Sequence, residues 1–136
     1  MILIDAGPLI ALVDERDRLN RRALQDLGRL ESHELFTCVP VLTEACFALS
    51  APFQRARLND LLERLDIQPR PTTSERELWG DVFAWLARYA DHEPDFADAW
   101  LAVLSQQDRH LRLWTYDDEF RHIWRRLDGS RIPLLG

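Results

Sequence analysis

The first fourteen residues, "MILIDAGPLIALVD" at 1–14, decide how the rest of the chain is read. Ile2, Leu3 and Ile4 form a short apolar run of the kind that fills a buried strand, and Asp5 ends it. The following Gly-Pro turns the chain, and Pro8 stands where the first turn of a helix tolerates it. A strand that delivers a carboxylate to the mouth of a helix is the opening unit of an α/β domain.

The same alternation continues outward. Leu19, Ala23, Leu27 and Leu30 recur at helical spacing between Asp17 and about Leu30. "ELFTCV" at 34–39 reads as a second strand, and "PVLTEACFALS" begins a helix with Pro40 at its first position and Glu44 near its start. Residues 53–65 are amphipathic, and "DIQPRPTT" then breaks the pattern, leaving a short third strand around Ile67 and a cap at Thr73 or Ser74. Leu78, Val82, Trp85, Leu86 and Tyr89 mark a helix over 75–90. Pro94 opens another, with carboxylates just behind it at the positive end. "LRLW" gives a last inner strand, followed by a turn at Asp117-Asp118, a short helix over 118–127 and an edge strand at 131–135. Parallel strands need crossovers, usually helical, so the expected fold is a three-layer α/β/α domain with a central, mainly parallel sheet.

Composition bounds the rest. A chain of 136 residues, with five Trp and six Phe, can bury one sizeable core, so a single domain over 1–136 is expected. The net charge of -6 argues against a protein that coats nucleic acid by bulk attraction, while leaving room for a local basic patch. Every basic residue is Arg. The absence of Lys removes Schiff-base chemistry and a Walker-type phosphate loop. Cys38 and Cys46 lack metal-ligand or CxxC spacing and read as buried, reduced thiols. His33, His92, His110 and His122 stand in unrelated contexts and read as surface or loop residues. The five Trp read as core or dimer packing, with Trp114 buried. The first strand has no basic leader before it and no segment reaches membrane-spanning length, so the cytoplasm is the expected compartment.

In open parallel sheets, functional groups gather beyond the C-terminal ends of the strands. Asp5, Glu44 and Asp117 each follow an expected strand, and Asp98, with Asp95 three residues before it, comes from the first turns of a helix. Taken singly, each acid reads equally well as a helix cap, a dipole partner or a solvated first-turn residue. Together they define an acidic rim that would repel itself unless protonated or neutralised. Mg²⁺ or Mn²⁺, which prefer oxygen ligands and keep waters, would resolve that conflict, and the chemistry implied is metal-assisted phosphodiester hydrolysis. Arg16, Arg18, Arg21 and Arg22, and Arg121, Arg125 and Arg126, could flank this rim and grip phosphates, although such runs are more often solvated faces.

"ILIDAGPLIALVD", "VLTEACFAL", "PDFADAWLAVLSQQ" and "LWTYDDEF" resemble, in order, the four acidic motifs of PIN-domain ribonucleases, including the VapC-like toxins. The resemblance spans essentially the whole chain. It implies Asp5 as the first acid, Glu44 as the second, Asp98 with accessory Asp95 as the third and Asp117 as the fourth, with Thr115 as the hydroxyl residue that precedes it. It further implies a Mg²⁺- or Mn²⁺-dependent ribonuclease, RNA as substrate, a homodimer and a small antitoxin that plugs the site. Two departures stand out. Ala6 occupies the position that many members give to Thr or Ser, and Asp117-Asp118 offers two neighbours for the fourth acid; the "TxD" spacing favours Asp117. The alternative expectation is a catalytically weak PIN-like module that binds RNA or a protein partner. A phosphoryl-transfer domain fits less well, because a receiver needs a Lys and a dehalogenase-like motif needs Asp where Gly7 stands.

Overall fold

The computed structural model describes residues 1–135. In chain order the elements are β1 (Ile2–Ile4), α1 (Ala6–Val13), α2 (Asn20–Gly28), β2 (Leu35–Thr37), α3 (Val39–Ala48), α4 (Pro52–Arg64), β3 (Gln68–Pro69), α5 (Glu75–Arg88), a 3-10 turn (Ala90–His92), α6 (Phe96–Gln107), β4 (Arg112–Trp114) and α7 (Glu119–His122). The four strands form one parallel sheet in the order β3-β2-β1-β4, flanked by helices in a three-layer α/β/α arrangement.

The first strand lies inside the sheet with a neighbour on each side, and Ile2, Leu3 and Ile4 are completely buried. A strand covered on both faces has no polar alternation, which is why "ILI" could be read directly. Leu78, Val82 and Trp85 form the buried stripe of α5, which packs against α6. Helix α6 is different: from Ala97 to Leu104 every residue except Trp100 is buried. It is the inner helix of the fold, so its surroundings rather than a polar face fix its orientation.

Both sheet edges are short. β3 has two residues and ends in Pro69, while the tail covers β4 through a parallel bridge from Leu134 to Leu113. Leu113 N–H donates to the Pro133 carbonyl at 2.8 Å, and Leu135 N–H to the Leu113 carbonyl at 2.9 Å. The expected edge strand at 131–135 is thus reduced to a bridge that still covers the open ladder.

Several sequence expectations need correction. Helix α6 starts at Phe96 with Asp95 as its cap, so Pro94 precedes the helix instead of opening its first turn. α7 is one turn long because Asp118 begins it and the chain leaves helical geometry at Ile123. Pro40 is the second residue of α3, capped by Cys38, which places Glu44 in the second turn of that helix. Cys38 is buried and Cys46 half-buried, and both are free thiols. Trp85, Trp114 and Trp124 lie in the core, whereas Trp79 is 42% exposed.

Candidate active site

The strand order determines where a site can form. The chain runs from β1 outward to β2 and β3, then returns across the sheet to place β4 on the other side of β1. The switch point of this doubly wound sheet therefore lies between β1 and β4, and a crevice opens there beyond their C-terminal ends. Asp5 leaves β1 at that crevice and Thr115 to Asp117 leave β4 beside it.

Asp5 is 7% exposed and held from two sides. Its Oδ1 accepts the Ala6 N–H at 2.7 Å and its Oδ2 accepts the Thr115 hydroxyl at 2.7 Å. Thr115 Oγ1 in turn accepts the Asp117 N–H at 3.0 Å, so one hydroxyl links the first and fourth acids. Asp117 Oδ1 accepts the Glu119 N–H at 3.0 Å. Asp98 Oδ2 accepts the Asp95 N–H at 3.1 Å across the start of α6. Glu44 stands on the exposed side of α3, and Asp95 is also exposed. The carboxylates thus grade from a buried floor, Asp5 and Asp98, to an open mouth.

Their electrostatics tie them together. Burial pushes Asp5 up from the ordinary carboxylate range, its Thr115 and Ala6 hydrogen bonds pull it down, and the charges of Asp117 and Asp95 raise it again. Asp98 is pushed up to about 8 by burial first and then by Asp5, against the opposing bond from Asp95 N–H. Glu44 rises to about 7, from loss of hydration against the neighbouring protein and then from Asp5, Asp95 and Asp117. Asp118 is exposed, caps α7 by position and contributes to none of these shifts. Asp117 is the member of the pair that belongs to the group.

The donor set fits a hard divalent cation: oxygen ligands, concentrated negative charge and buried carboxylates anchored by only part of their lone pairs. As the side chains lie, no three His, Cys, Asp or Glu among the described residues converge into a ready-made coordination sphere. An ion held here would share its shell between a few carboxylates and water, as suits Mg²⁺ or Mn²⁺.

A pH dependence follows. The folded, metal-free protein keeps protons on Asp5, Asp98 and Glu44 that the unfolded chain releases near the ordinary carboxylate range. The folded state binds more protons, so stability falls as pH rises, and the window runs from about 4 to about 8, the value for Asp98. Thermal unfolding in EDTA should therefore give a melting temperature that declines from pH 5.5 to pH 8, with a smaller decline in Asp98→Asn. A flat profile would show that these carboxyls do not carry the shared charge.

The sequence missed two features of this end of the molecule. Arg29, Arg112 and His33 join Arg22 and Arg121 around a cavity that abuts Thr115 and Asp117. These residues are scattered along the chain, and only the parallel pairing of β1 with β4 brings them together. Arg126 instead turns inward, its guanidinium donating to the Ser105 carbonyl at 2.8 Å, and Arg125 donates to the Trp124 carbonyl at 2.9 Å. The second feature is an apolar groove of about 910 Å³ that opens beside Glu44 and Asp95 and includes Val39, Phe47, Trp79 and Phe96. Phe47 is 86% exposed and Val39 73%.

The family model for the PIN domain matches residues 2–125. Among solved structures, VapC20 of Mycobacterium tuberculosis, described as a sarcin-ricin loop cleaving toxin, superposes with a TM-score of 0.68 at 19% identity, over 89% of this chain and 93% of that one. At that identity the likeness establishes the fold. A comparison with curated proteins finds no match.

Proposed function

The chain belongs to the PIN domain family, and from that premise we propose that it is a metal-dependent endoribonuclease, the toxin of a type II toxin-antitoxin pair. The observation that carries this reading is the linkage of Asp5 to Asp117 through Thr115 at the sheet's switch point, with Asp95, Asp98 and Glu44 near enough that the charges of Asp5, Asp95 and Asp117 raise the affinity of Asp98 and Glu44 for protons. The VapC20 likeness supports the toxin part of it.

In this reading Asp5, Glu44, Asp95, Asp98 and Asp117 hold the ion. When bound, Mg²⁺ or Mn²⁺ supplies the positive charge that keeps these carboxyls ionised and polarises the scissile phosphate. Thr115 positions Asp5 by donating to one oxygen, and Ala6 N–H fixes the other, so the carboxylate presents its remaining lone pairs in one orientation. Asp95 N–H does the same for Asp98. Glu44 is the solvent-facing carboxylate at the mouth, where a proton can pass to and from water. Ala6 is 2% exposed and packed in the core, and the side-chain hydroxyl that reaches Asp5 is that of Thr115.

RNA is the proposed substrate and a small antitoxin the proposed protein inhibitor. The exposed aromatic face of α3, α5 and α6 is assigned to a second copy of the chain, because Phe47, Trp79 and Phe96 line one apolar groove, with Phe83 packed edge-on against Phe96, that a monomer would leave in water. Light scattering should give about twice the 15.9 kDa chain mass, and a monomer that persists at high concentration would refute the assignment. No helix among the described residues is long and apolar enough to cross a membrane, and the cytoplasm is the proposed site of action.

The test is incubation of the purified protein with end-labelled structured RNAs in Mn²⁺ or Mg²⁺. Cutting that stops on addition of EDTA is expected. Absence of both cutting and measurable metal binding would favour a PIN-like binding module.

A further inference from the structure

Behind the acidic crevice lies a second cavity of about 700 Å³, bounded by α2, the loop after it, β4 from Arg112 to Trp114 with the turn beyond it, α7 and the tail at Leu134. The two cavities share one wall. Extended backbone sends successive side chains to opposite sides, and the Thr115 hydroxyl turns towards Asp5 while Tyr116 after it turns away. The Tyr116 hydroxyl donates to Asp26 Oδ2 at 2.7 Å on the far side. A molecule held at the acids can therefore continue round the end of β4 into this second space without crossing the core.

The lining sets four arginines against three carboxylates, Asp26, Asp117 and Asp118. Arg22, Arg29, Arg112 and Arg121 reach it from three separate elements and one loop. Asp26 partly offsets two of them, with Arg22 at 3.9 Å and Arg29 at 4.0 Å. Among the described residues neither Arg112 nor Arg121 has a carboxylate within ion-pair distance. Arg112 instead leans on His33 Nε2 at 3.5 Å, and His33 Nδ1, fully buried at the atom, has no hydrogen-bond partner. The Arg22 guanidinium stacks on the Tyr116 ring at 4.7 Å from its centre. Burial and Asp26 keep that phenol protonated well above its ordinary value. The Trp114 indole N–H is directed at the same hydroxyl without reaching hydrogen-bond geometry.

Four guanidinium groups share this lining with three carboxylates, and among the described residues Arg112 and Arg121 have no ion-pair partner, which leaves both free to take an anion. The planar fork of Arg suits phosphate oxygens, and the side chains are exposed enough to reach a backbone: Arg22 is 65% exposed and Arg29 78%. We propose that this basic cavity is an RNA subsite, which grips the phosphate backbone of the nucleotides next to the one lying at the acids and so sets the direction in which the strand crosses the crevice. The inference rests on the nuclease reading for what happens at the acids, but the cavity itself is defined by its own residues. Arg112 and Arg121 are the two contacts that reach the strand unopposed.

Binding and cutting separate the two ideas. Fluorescence anisotropy of a labelled single-stranded RNA would be measured on the full chain carrying Asp5→Asn, alone and with Arg112→Gln/Arg121→Gln added. Arg57→Gln/Arg64→Gln on α4 removes the same charge elsewhere and serves as the control. Circular dichroism establishes that each variant is folded. The cavity pair should weaken binding by about tenfold or more and lower the salt dependence by about two phosphate contacts, while the control pair changes little. In the chain with Asp5 intact, the cavity pair should raise KM for RNA and leave kcat and Mn²⁺ affinity near the parent values. Equal loss from both pairs, or unchanged binding in the folded cavity variant, would overturn the subsite. Binding that depends on the cavity in a protein that never cuts would instead overturn the nuclease reading and leave the subsite standing.

Discussion

Asp5→Asn should reduce metal-dependent RNA cutting by about a thousandfold while leaving the protein folded. The substitution removes one negative charge and almost no volume. Asn keeps an oxygen to accept the Ala6 N–H, which holds Asp5 at 2.7 Å, so the capped start of α1 survives. What it would lose, on the proposed reading, is an anionic oxygen that holds the ion, and with it a stabilisation of several kcal/mol at the reacting phosphate; about 4 kcal/mol corresponds to the expected factor. Stability should move the other way. Asp5 is buried beside the charges of Asp117 and Asp95, and Asn feels neither that repulsion nor the full loss of hydration. The metal-free variant is therefore expected to melt at the same temperature as the parent or higher, with weaker Mn²⁺ binding by calorimetry. Asp98→Asn should behave alike, since its oxygen can still accept the Asp95 N–H. Cutting within threefold of the parent in either variant would remove these acids from the mechanism.

The second large effect concerns the fold. Trp85→Ala should destabilise the protein by about 3–5 kcal/mol, as truncation of a buried aromatic does. Trp85 is completely buried, its ring 4.6 Å from that of Tyr89 and 5.2 Å from that of Trp124. Its indole N–H donates to the Arg125 carbonyl at 2.7 Å, so truncation leaves a cavity and also a carbonyl without its donor. Against a total stability of about 5–15 kcal/mol this is a large fraction. Thermal denaturation followed by circular dichroism should show a fall of about 10 °C or more. Trp85→Phe, which keeps most of the ring volume and loses the N–H, should fall between. A shift of less than about 3 °C for the alanine variant would mean that the cluster is not the clamp joining α5 to the C-terminal segment.

What was legible in the sequence was what depends on local pattern. "ILI" and "LRLW" are buried on both faces and so read as uninterrupted apolar runs, and Leu78, Val82 and Trp85 mark one side of a helix. The acids were legible because strands end at fixed places in a parallel sheet. Pairing Asp5 with Thr115 required the strand order, which local pattern does not encode. Glu44 lies one residue further into its helix than the sequence reading places it, because Pro40 suits either of the first two helical positions. The arginines behaved least predictably. Arg121, Arg125 and Arg126 look equivalent in sequence, yet Arg126 turns inward to Ser105 and Arg121 faces the basic cavity. Trp79 stands one residue after Leu78 in the helical repeat of α5, which takes it out of the buried stripe to the rim of the apolar groove.

The placement of β4 beside β1 also has a consequence in time. The hydrogen bond that orients Asp5 comes from a residue 110 positions later in the chain. A nascent polypeptide that has reached residue 110 already contains Asp5, Glu44, Asp95 and Asp98, but neither the strand that aligns the first of them nor Asp117. At the usual pace of translation, about 5–20 residues per second, the chain takes roughly 6–20 s to pass from Asp5 to Thr115. Throughout that time the ribosome carries the first acid without the hydroxyl that orients it, and no assembled crevice. Synthesis itself therefore imposes a delay before the site can act.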